Sequence, residues 1–248
     1  MRQKRSRLIA APLAAVALTL TAVGYQAGAA EPSASGGTFR SDRATDASAP
    51  CLADATTLIG DLDGDTHPDK ITNPGHTGTE MTVQWGAANG SFGKKLLVKD
   101  LLGAKKGEVA TAAVADFQND GTLDMVVNIV KPSGGDDPST ARVAEHRPGP
   151  LNRTNLRSAD ARHSDIGDRG EAKQLAIAHY NDDAYPDLAI LNNGGDGQMD
   201  RDVRLSKPGG GLADFDYDAF QKYGEAGSWA EPPAMPGDGW KQFYKPCS

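Results

Sequence analysis

The 248-residue chain carries a formal net charge of −7 at neutral pH, with 38% apolar residues, 29 glycines and 15 prolines. An acidic balance argues against a nucleic-acid-binding protein, because such proteins need a basic face to meet the phosphates. Abundant glycine and proline with moderate apolar content favours a loop-rich β protein over a helical one.

The first 30 residues have the pattern of a secretory signal peptide. Basic residues at positions 2, 4, 5 and 7 precede an apolar run from Leu8 to Val23, and Ala27-Gly28-Ala29 matches a small-residue cleavage site. The run is too short for a membrane span. We therefore expect a secreted, extracellular protein with no membrane span in its mature chain. Loss of the segment would take the formal charge from −7 to −11.

Residues 31–50 are rich in Ser, Ala, Gly, Thr and Asp and predict a disordered leader. Residues 51–248 then suffice for one domain with a sizeable core. The two cysteines of the chain, Cys51 and Cys247, bracket that region. In an exported protein such a pair indicates a disulfide, the alternative being free or intermolecular thiols. A zinc site is not expected from two distant cysteines without clustered histidines.

An aspartate-rich loop occurs three times, 55 and then 63 residues apart. In register, position 1 holds Asp61, Asp116 and His179, position 3 holds Asp63, Gln118 and Asn181, position 5 holds Asp65, Asp120 and Asp183, position 7 holds His67, Thr122 and Tyr185, and position 9 holds Asp69, Asp124 and Asp187. Calcium takes six to eight oxygen ligands, and alternate residues of a tight loop can supply carboxylates plus a backbone carbonyl near position 7. Four carboxylates so close together would repel one another without a cation.

We therefore predict that all of these residues except His179 bind Ca²⁺, most strongly in the first loop. The third loop is the weakest candidate, because His179 is not a hard oxygen ligand. Aspartate-rich turns without a metal are the alternative. An EF-hand is excluded because position 12 of the first loop is Thr72 rather than a bidentate Glu, and apolar strand sequence follows instead of a helix.

Apolar β-branched segments flank each loop and predict strands. The expected strands before the loops are Thr56–Ile59, Val109–Ala115 and Gln174–Ala178, and those after them are Lys70–Thr72, Met125–Val130 and Leu188–Leu191. Third strands are expected at residues 81–85, 141–146 and 203–205, whereas a fourth is clear only at 96–98. A period near 60 residues suits one four-stranded propeller blade. The predicted fold is all-β and β-propeller-like, with about three blades.

The first loop and the later turn Trp85-Gly86-Ala87-Ala88-Asn89-Gly90-Ser91-Phe92 together resemble the FG-GAP/VCBS repeat family, in its bacterial secreted form. The resemblance covers roughly residues 54–215. It implies integrin-α-like propeller blades, extracellular location and structural calcium between the first two strands of each blade. The repeats would span about 54–107, 108–170 and 171–215, followed by a C-terminal tail at 216–248.

Three blades are fewer than closed propellers usually have. The alternatives are a degenerate fourth blade within residues 213–248, a partial propeller capped by the tail, or a homodimer that closes a six-bladed ring. Acidic and apolar residues alternate over 212–218, which predicts an exposed acidic strand in the degenerate fourth blade.

The leading functional hypothesis is a non-catalytic binding or adhesion module for an extracellular protein or glycan. None of the five histidines has the spacing of a zinc protease, and no nucleophile-elbow motif occurs. A small secreted hydrolase for polysaccharides or phosphoesters is one alternative, and a structural envelope or matrix component is another. The hydrolase would use carboxylates in equivalent loops, namely Asp136, Asp137, Asp196, Asp200 and Asp202. The tail aromatics Trp229, Trp240, Phe243 and Tyr244 suit either a ligand contact or a hydrophobic plug.

Overall fold

Short β-strands make up most of the regular structure in the computed structural model, which describes residues 49–237 and 239–248. In chain order the strands are β1 Cys51–Asp54, β2 Thr57–Gly60, β3 Asp69–Thr72, β4 Thr82–Gln84, β5 Leu96–Leu97, β6 Val109–Ala115, β7 Asp124–Val130, β8 Val143–Arg147, β9 Arg162–His163, β10 Glu171–Ala178, β11 Asp187–Gly195, β12 Gln198–Arg204, β13 Ser206–Lys207, β14 Gly211–Leu212 and β15 Glu225–Ser228. The α-helices are α1 Val98–Leu101, α2 Tyr217–Tyr223 and α3 Gly239–Phe243. The predicted signal peptide and nearly all of the predicted leader lie outside the described residues.

The strands form three larger antiparallel sheets and one small hairpin. Sheet 1 has the order β1-β2-β3-β4-β5, sheet 2 the order β6-β7-β8-β9, and sheet 3 the order β10-β11-β12-β15, while β13 pairs only with β14. Within each sheet, strands that follow one another in sequence are mostly neighbours. The protein is therefore all-β and built from antiparallel sheets, as the composition predicts.

The predicted strands around the three aspartate loops are confirmed, and no end differs by more than four residues. Strand β7 is buried along its whole length and β6 is buried except at Val109. The apolar sequence of both strands follows from this burial, since neither has a face that needs polar side chains to meet water.

One hydrophobic core joins the three sheets. It includes Leu58 and Ile71 from sheet 1, Met125 from sheet 2, and Leu175 and Leu188 from sheet 3, all fully buried. Backbone hydrogen bonds also connect the sheets through residues 77 and 78, whose carbonyls accept from the N–H groups of Leu175 and Ala112 at 3.3 and 3.0 Å. The described sheets thus share a single interior.

The C-terminal tail returns to the start of the domain. Cys51 and Cys247 form a disulfide, as predicted. Beside it, the Leu52 N–H donates to the Lys245 carbonyl at 2.8 Å, and the Cys247 N–H donates to the Leu52 carbonyl at 2.9 Å. The tail is therefore attached to β1 by both covalent and backbone hydrogen bonds.

Trp240 of helix α3 and Tyr244, which follows the helix, place their aromatic rings in the core. The indole N–H of Trp240 donates to the Val114 carbonyl at 2.8 Å, and the Tyr244 hydroxyl accepts from the Asp116 N–H at 2.8 Å. Trp240 and Tyr244 are buried, whereas Trp229 is 47% exposed. The plug interpretation of the tail aromatics is confirmed for Trp240 and Tyr244, and Trp229 requires another explanation.

The expectation of an exposed acidic strand at residues 212–218 is wrong. Asp216 instead caps helix α2, its carboxylate accepting from the N–H groups of Asp218 and Ala219 at 2.8 and 3.2 Å. The acidic residues are suited to this helix start because the first backbone N–H groups have no partner within the helix. The fourth strand of sheet 3 is β15, which lies beyond residue 215.

No helix among the described residues is long and apolar enough to cross a membrane.

Candidate metal centre

Each aspartate loop connects the first and second strands of a predicted repeat. The three loops, residues 61–69, 116–124 and 179–187, join β2 to β3, β6 to β7 and β10 to β11. The position 9 aspartate lies opposite the residue that precedes position 1 in all three sheets, pairing Gly60 with Asp69, Ala115 with Asp124 and Ala178 with Asp187. The three loops are therefore equivalent in the fold, as their sequence register predicts.

The first loop gathers its carboxylates at one point. Ligand oxygens of Asp61, Asp63 and Asp65 lie within 4.8 Å of one another, the one such group of three acidic residues among those the structure describes. The Asp61 carboxylate also accepts from the N–H groups of Gly64 and Thr66 at 2.7 and 2.9 Å. These bonds close the loop, and the positive φ angles of 77° at Gly64 and 70° at Thr66 provide the tight reversal.

The chemistry of this donor set fits a hard divalent cation such as Ca²⁺, which prefers carboxylate and carbonyl oxygens. Asp61 and Asp63 are partly buried and Asp65 is exposed, so the group is open to water on one side. The position 7 carbonyl and the position 9 carboxylate belong to the same loop and are available as further oxygen ligands.

The position 9 aspartates have a second role that the sequence did not reveal. All three are buried, at 0 to 1% exposure. One oxygen accepts from the position 2 N–H, as in the pairs Leu62 to Asp69 at 3.0 Å, Phe117 to Asp124 at 2.9 Å and Tyr180 to Asp187 at 2.9 Å. The other oxygen accepts from a residue two positions past the third strand, namely from Gly86 at 2.7 Å, Gly149 at 2.9 Å and Ser206 at 2.9 Å. Each carboxylate thus connects its loop to the third strand of its predicted repeat.

Two of the residues that donate to the position 9 aspartates, Gly86 and Gly149, must be glycine for steric reasons. A Cβ atom at Gly86 would lie 2.3 Å from the Pro68 carbonyl oxygen, and one at Gly149 would lie 2.6 Å from the Leu123 carbonyl oxygen. The close approach that lets the N–H reach the aspartate leaves no room for a side chain. The glycine of the Trp85–Phe92 turn is therefore required by the aspartate of the loop.

Burial makes the ionised form of these aspartates costly. It raises the pKa of Asp69 to about 6 and that of Asp124 to about 7, and it raises the pKa of Asp187 as well. Backbone hydrogen bonds oppose the effect, whereas the neighbouring carboxylates at positions 1, 3 and 5 add to it. A cation within the loop would relieve this repulsion.

The second loop is built like the first but with one carboxylate fewer. Asp116 is buried and accepts from the N–H groups of Asp120 and Gly121 at 2.9 and 2.8 Å. Asp120 is exposed and accepts from the Thr122 N–H at 2.8 Å. Gln118 at position 3 still offers a carbonyl oxygen, so the loop keeps an all-oxygen donor set at lower charge.

The third loop is closed by direct hydrogen bonds. His179 at position 1 lies with its Nε2 atom 2.9 Å from the Asp183 carbonyl, and its ring packs edge-on against Phe243 at 5.1 Å. The Asn181 side-chain amide donates to the Asp183 carboxylate at 2.7 Å. The histidine is therefore engaged with the protein in this loop, and the lower calcium affinity expected of the third loop stays a prediction.

Arg153 is a contact of the first loop that the sequence did not reveal. It comes from the connection between β8 and β9 and forms ion pairs with both Asp63 and Asp65. Its guanidinium also lies 5.6 Å from the centre of the Trp85 ring. No local pattern identifies it, because 88 to 90 residues separate it from its partners. The Arg153 guanidinium thus occupies the carboxylates that would otherwise bind the cation.

Replacing Arg153 by alanine is expected to raise the calcium affinity of the protein about threefold to tenfold. In the wild type, calcium must displace the guanidinium from the carboxylates. The apparent calcium affinity is therefore reduced in proportion to the fraction of molecules in which Arg153 occupies the loop, and the variant removes this reduction. Stability without calcium should fall by less than about 1 kcal/mol, since the arginine side chain is 43% exposed. Calorimetric titration with calcium measures the first effect. Arg157→Ala, an exposed change in the same connection, is the control; equal affinity in both variants would contradict the competition.

The carboxylates suggested for a hydrolase either interact with other side chains or are exposed in loops. Asp202 is buried, accepts from the Asn192 amide at 2.9 Å and lies 3.4 Å from the Arg169 guanidinium. Asp200 accepts from Gln198 at 3.2 Å. Asp136, Asp137 and Asp196 are exposed loop residues. The buried member of the set is therefore a structural charge of sheet 3.

His146 is the one histidine with a strongly buried ring among the five. It is 2% exposed and packs edge-on against Phe117 at 5.7 Å. Its Nδ1 atom accepts from the Arg162 guanidinium at 3.2 Å, which requires that nitrogen to be unprotonated. Burial, together with the charge of Arg162, lowers the pKa of His146 to about 4.

The His146 site predicts a loss of stability in acid. The folded pKa lies below the ordinary value of about 6.5, so the neutral histidine contributes fully above pH 6.5 and its contribution is lost as the pH falls towards 4. The difference in unfolding free energy between the wild type and His146→Gln should shrink by roughly 2–3 kcal/mol over that interval. Urea unfolding at a series of pH values measures it. A constant difference would contradict the buried neutral histidine.

Comparison with protein-family models finds one match, to the FG-GAP-like repeat, over residues 61–127. The match begins at Asp61, includes the second loop and ends within β7. No curated protein and no solved structure matches the chain.

Proposed function

With an FG-GAP-like repeat in residues 61–127 as the premise, we propose that the chain is a secreted, calcium-stabilised, non-catalytic binding module for an extracellular protein or glycan. Its scaffold is a propeller-like set of three blades, each with a calcium loop between its first two strands. Calcium has a structural role in it, since it fixes the connection between strands of the core.

The observation that carries the proposal is the cluster of Asp61, Asp63 and Asp65 within 4.8 Å at the start of the family match. In the first loop these residues, Asp69 and the His67 carbonyl would hold the ion. The equivalent ligands in the other loops are Asp116, Gln118, Asp120, the Thr122 carbonyl and Asp124, and Asn181, Asp183, the Tyr185 carbonyl and Asp187. Calcium would neutralise carboxylates that otherwise face one another.

The blade interpretation is supported by the common plan of the three sheets. Sheets 2 and 3 have four strands each, and sheet 1 has four strands preceded by β1; each aspartate loop joins the first two strands of such a set of four. The tail supports closure within one chain, because α3 contacts Val114 of sheet 2 while the disulfide joins the tail to sheet 1. A homodimer that completes a larger ring is the alternative.

Secretion is supported by the disulfide, which persists in oxidising compartments, and by the signal-peptide pattern of the first 30 residues. The acidic charge of −7 favours partners other than nucleic acid.

Binding of the purified protein to panels of extracellular glycans and proteins tests the proposal. We expect a ligand that binds in calcium and is lost in chelator, because unfixed loops would loosen the scaffold. The variant Asp63→Asn should bind that ligand weakly even in calcium, because its first loop would not hold the ion. Hydrolysis of a polysaccharide or phosphoester by the protein, or the absence of any ligand on both panels, would contradict the proposed function.

A further inference from the structure

A groove opens at the end of sheets 2 and 3 that is opposite to the aspartate loops. Its volume is about 450 Å³, within the range of small-ligand sites. The residues after β7, including Ser133 and Gly134, form one wall, and the first half of β10 with the end of β11 forms the floor. Trp229, just after β15, forms the other wall. The second and third aspartate loops lie at the far ends of β6, β7, β10 and β11, so the groove is separate from the candidate metal centre.

Trp229 is held in place while its ring remains exposed. Its indole N–H donates to the Asn193 side-chain oxygen at 3.1 Å, and its backbone N–H donates to the Gly197 carbonyl at 2.9 Å. The residue is nevertheless 47% exposed, in contrast to Trp240 at 3%. An aromatic side chain fixed in advance loses little conformational entropy when a ligand stacks on it.

Asn193 supplies an unused polar group on the floor of the groove. It is 4% exposed, and its side-chain oxygen accepts from both Trp229 and the Gly195 N–H, the latter at 3.1 Å. Its amide NH₂ group has no hydrogen-bond partner among the described residues. This nitrogen is not among the fully enclosed polar atoms without a partner, so it is open to the solvent of the groove, where a ligand oxygen could accept from it.

The rest of the lining is polar but carries no free charge. Lys173 is the single charged residue of the groove, and its ammonium is paired with the buried carboxylate of Glu171. Gln174 and Ser133 contribute neutral polar groups, and a Cβ atom added at Gly134 would meet nothing within 4 Å. One flat aromatic face, neutral hydrogen-bonding groups and open backbone form a surface suited to an uncharged, hydroxylated ring.

We propose that this groove binds a neutral pyranose unit of a polysaccharide, stacked on Trp229 and hydrogen-bonded by Asn193 and Gln174. The inference rests on the proposed function and names a glycan as the ligand of that binding module. Neutral sugars are favoured over anionic ones because Lys173 is already paired and the chain is acidic, with a formal charge of −7. A pyranose ring offers C–H groups to the indole face and hydroxyl groups to the amides.

Titration with hexasaccharides of β-1,4-linked glucose, xylose, mannose and N-acetylglucosamine, followed by calorimetry and tryptophan fluorescence, tests the site. We expect at least one of them to bind and to change the fluorescence of the exposed indole. Trp229→Ala should weaken that binding at least tenfold, and Gln174→Ala about threefold or more. Tyr217→Ala removes an aromatic side chain that is 64% exposed outside the groove and should leave binding unchanged.

Different outcomes of these experiments would contradict the groove as the binding site and the proposed function as a whole. Binding that Trp229→Ala leaves within twofold of the wild type would overturn the groove as the site, while the binding module would stand. Binding of a proline-rich peptide in the groove, with none of the saccharides, would overturn the ligand class. A loss of all binding on the wider panels as well would overturn the proposed function itself.

Discussion

Replacing Cys51 and Cys247 together by serine is expected to lower the free energy of unfolding by about 5 kcal/mol. The bond closes a loop of 196 residues, and the loss of chain entropy in the unfolded state grows with loop length. The described domain lies almost wholly within that loop. Urea unfolding of the double variant and the wild type, each extrapolated with its own slope, measures the difference, because the unfolded chain expands further without the cross-link.

The reduced wild-type protein is the matched control for the double variant, since both lack the bond and differ only at two side chains. Both should unfold at the same urea concentration. A loss below about 1 kcal/mol would contradict the prediction and would mean that α3 and the pairing with Leu52 hold the tail without the disulfide.

Replacing Asp124 by alanine is expected to cost about 3–4 kcal/mol in chelator, and more in calcium, where a proposed metal ligand is lost as well. The change leaves three backbone N–H groups near the buried site without an acceptor, those of Phe117 at 2.9 Å, Gln118 at 3.3 Å and Gly149 at 2.9 Å. Each buried donor without a partner costs about 1–3 kcal/mol, and relief of the desolvated charge offsets part of the sum.

Asp120→Ala separates this structural role from metal binding in the same loop. Asp120 is exposed, and among the described residues its carboxylate accepts from the Thr122 N–H alone, so its loss should cost less than about 1 kcal/mol in chelator. In calcium it should reduce the stabilisation that the metal gives. If Asp124→Ala were destabilising only in calcium, the position 9 aspartate would act as a ligand alone, and its connection to the third strand would contribute nothing to stability.

Much of this fold could be predicted from the sequence because the aspartate loops and their flanking strands repeat along the chain. The spacing of Asp61, Asp116 and His179 placed three loops between paired strands, and the structure has strands at those places. That the third loop binds calcium more weakly than the others stays a prediction, and it rests on the poor match between histidine and a hard cation. Such features depend on residues close together in the chain, where spacing determines geometry.

Long-range contacts were not accessible in the same way. Arg153 reaches Asp63 from 90 residues away, and Trp240 reaches Val114 from 126 residues away. No pattern in the chain specifies such pairs, because they depend on how the sheets pack. The missed helix α2 is different: Asp216 followed by a helix-forming run that ends before Gly224 was a usable signal, which the alternation of acidic residues obscured.

The central claim is that the aspartate loops hold calcium that stabilises the fold. Thermal unfolding of the purified protein in calcium and in chelator, with metal content measured on the same sample, tests it most directly. We predict two to three bound calcium ions and a melting temperature about 5–10 °C higher in calcium, as expected for saturation well above the dissociation constant in a domain of this size. Equal melting temperatures with no bound metal would contradict the claim and would leave the aspartates as turn residues.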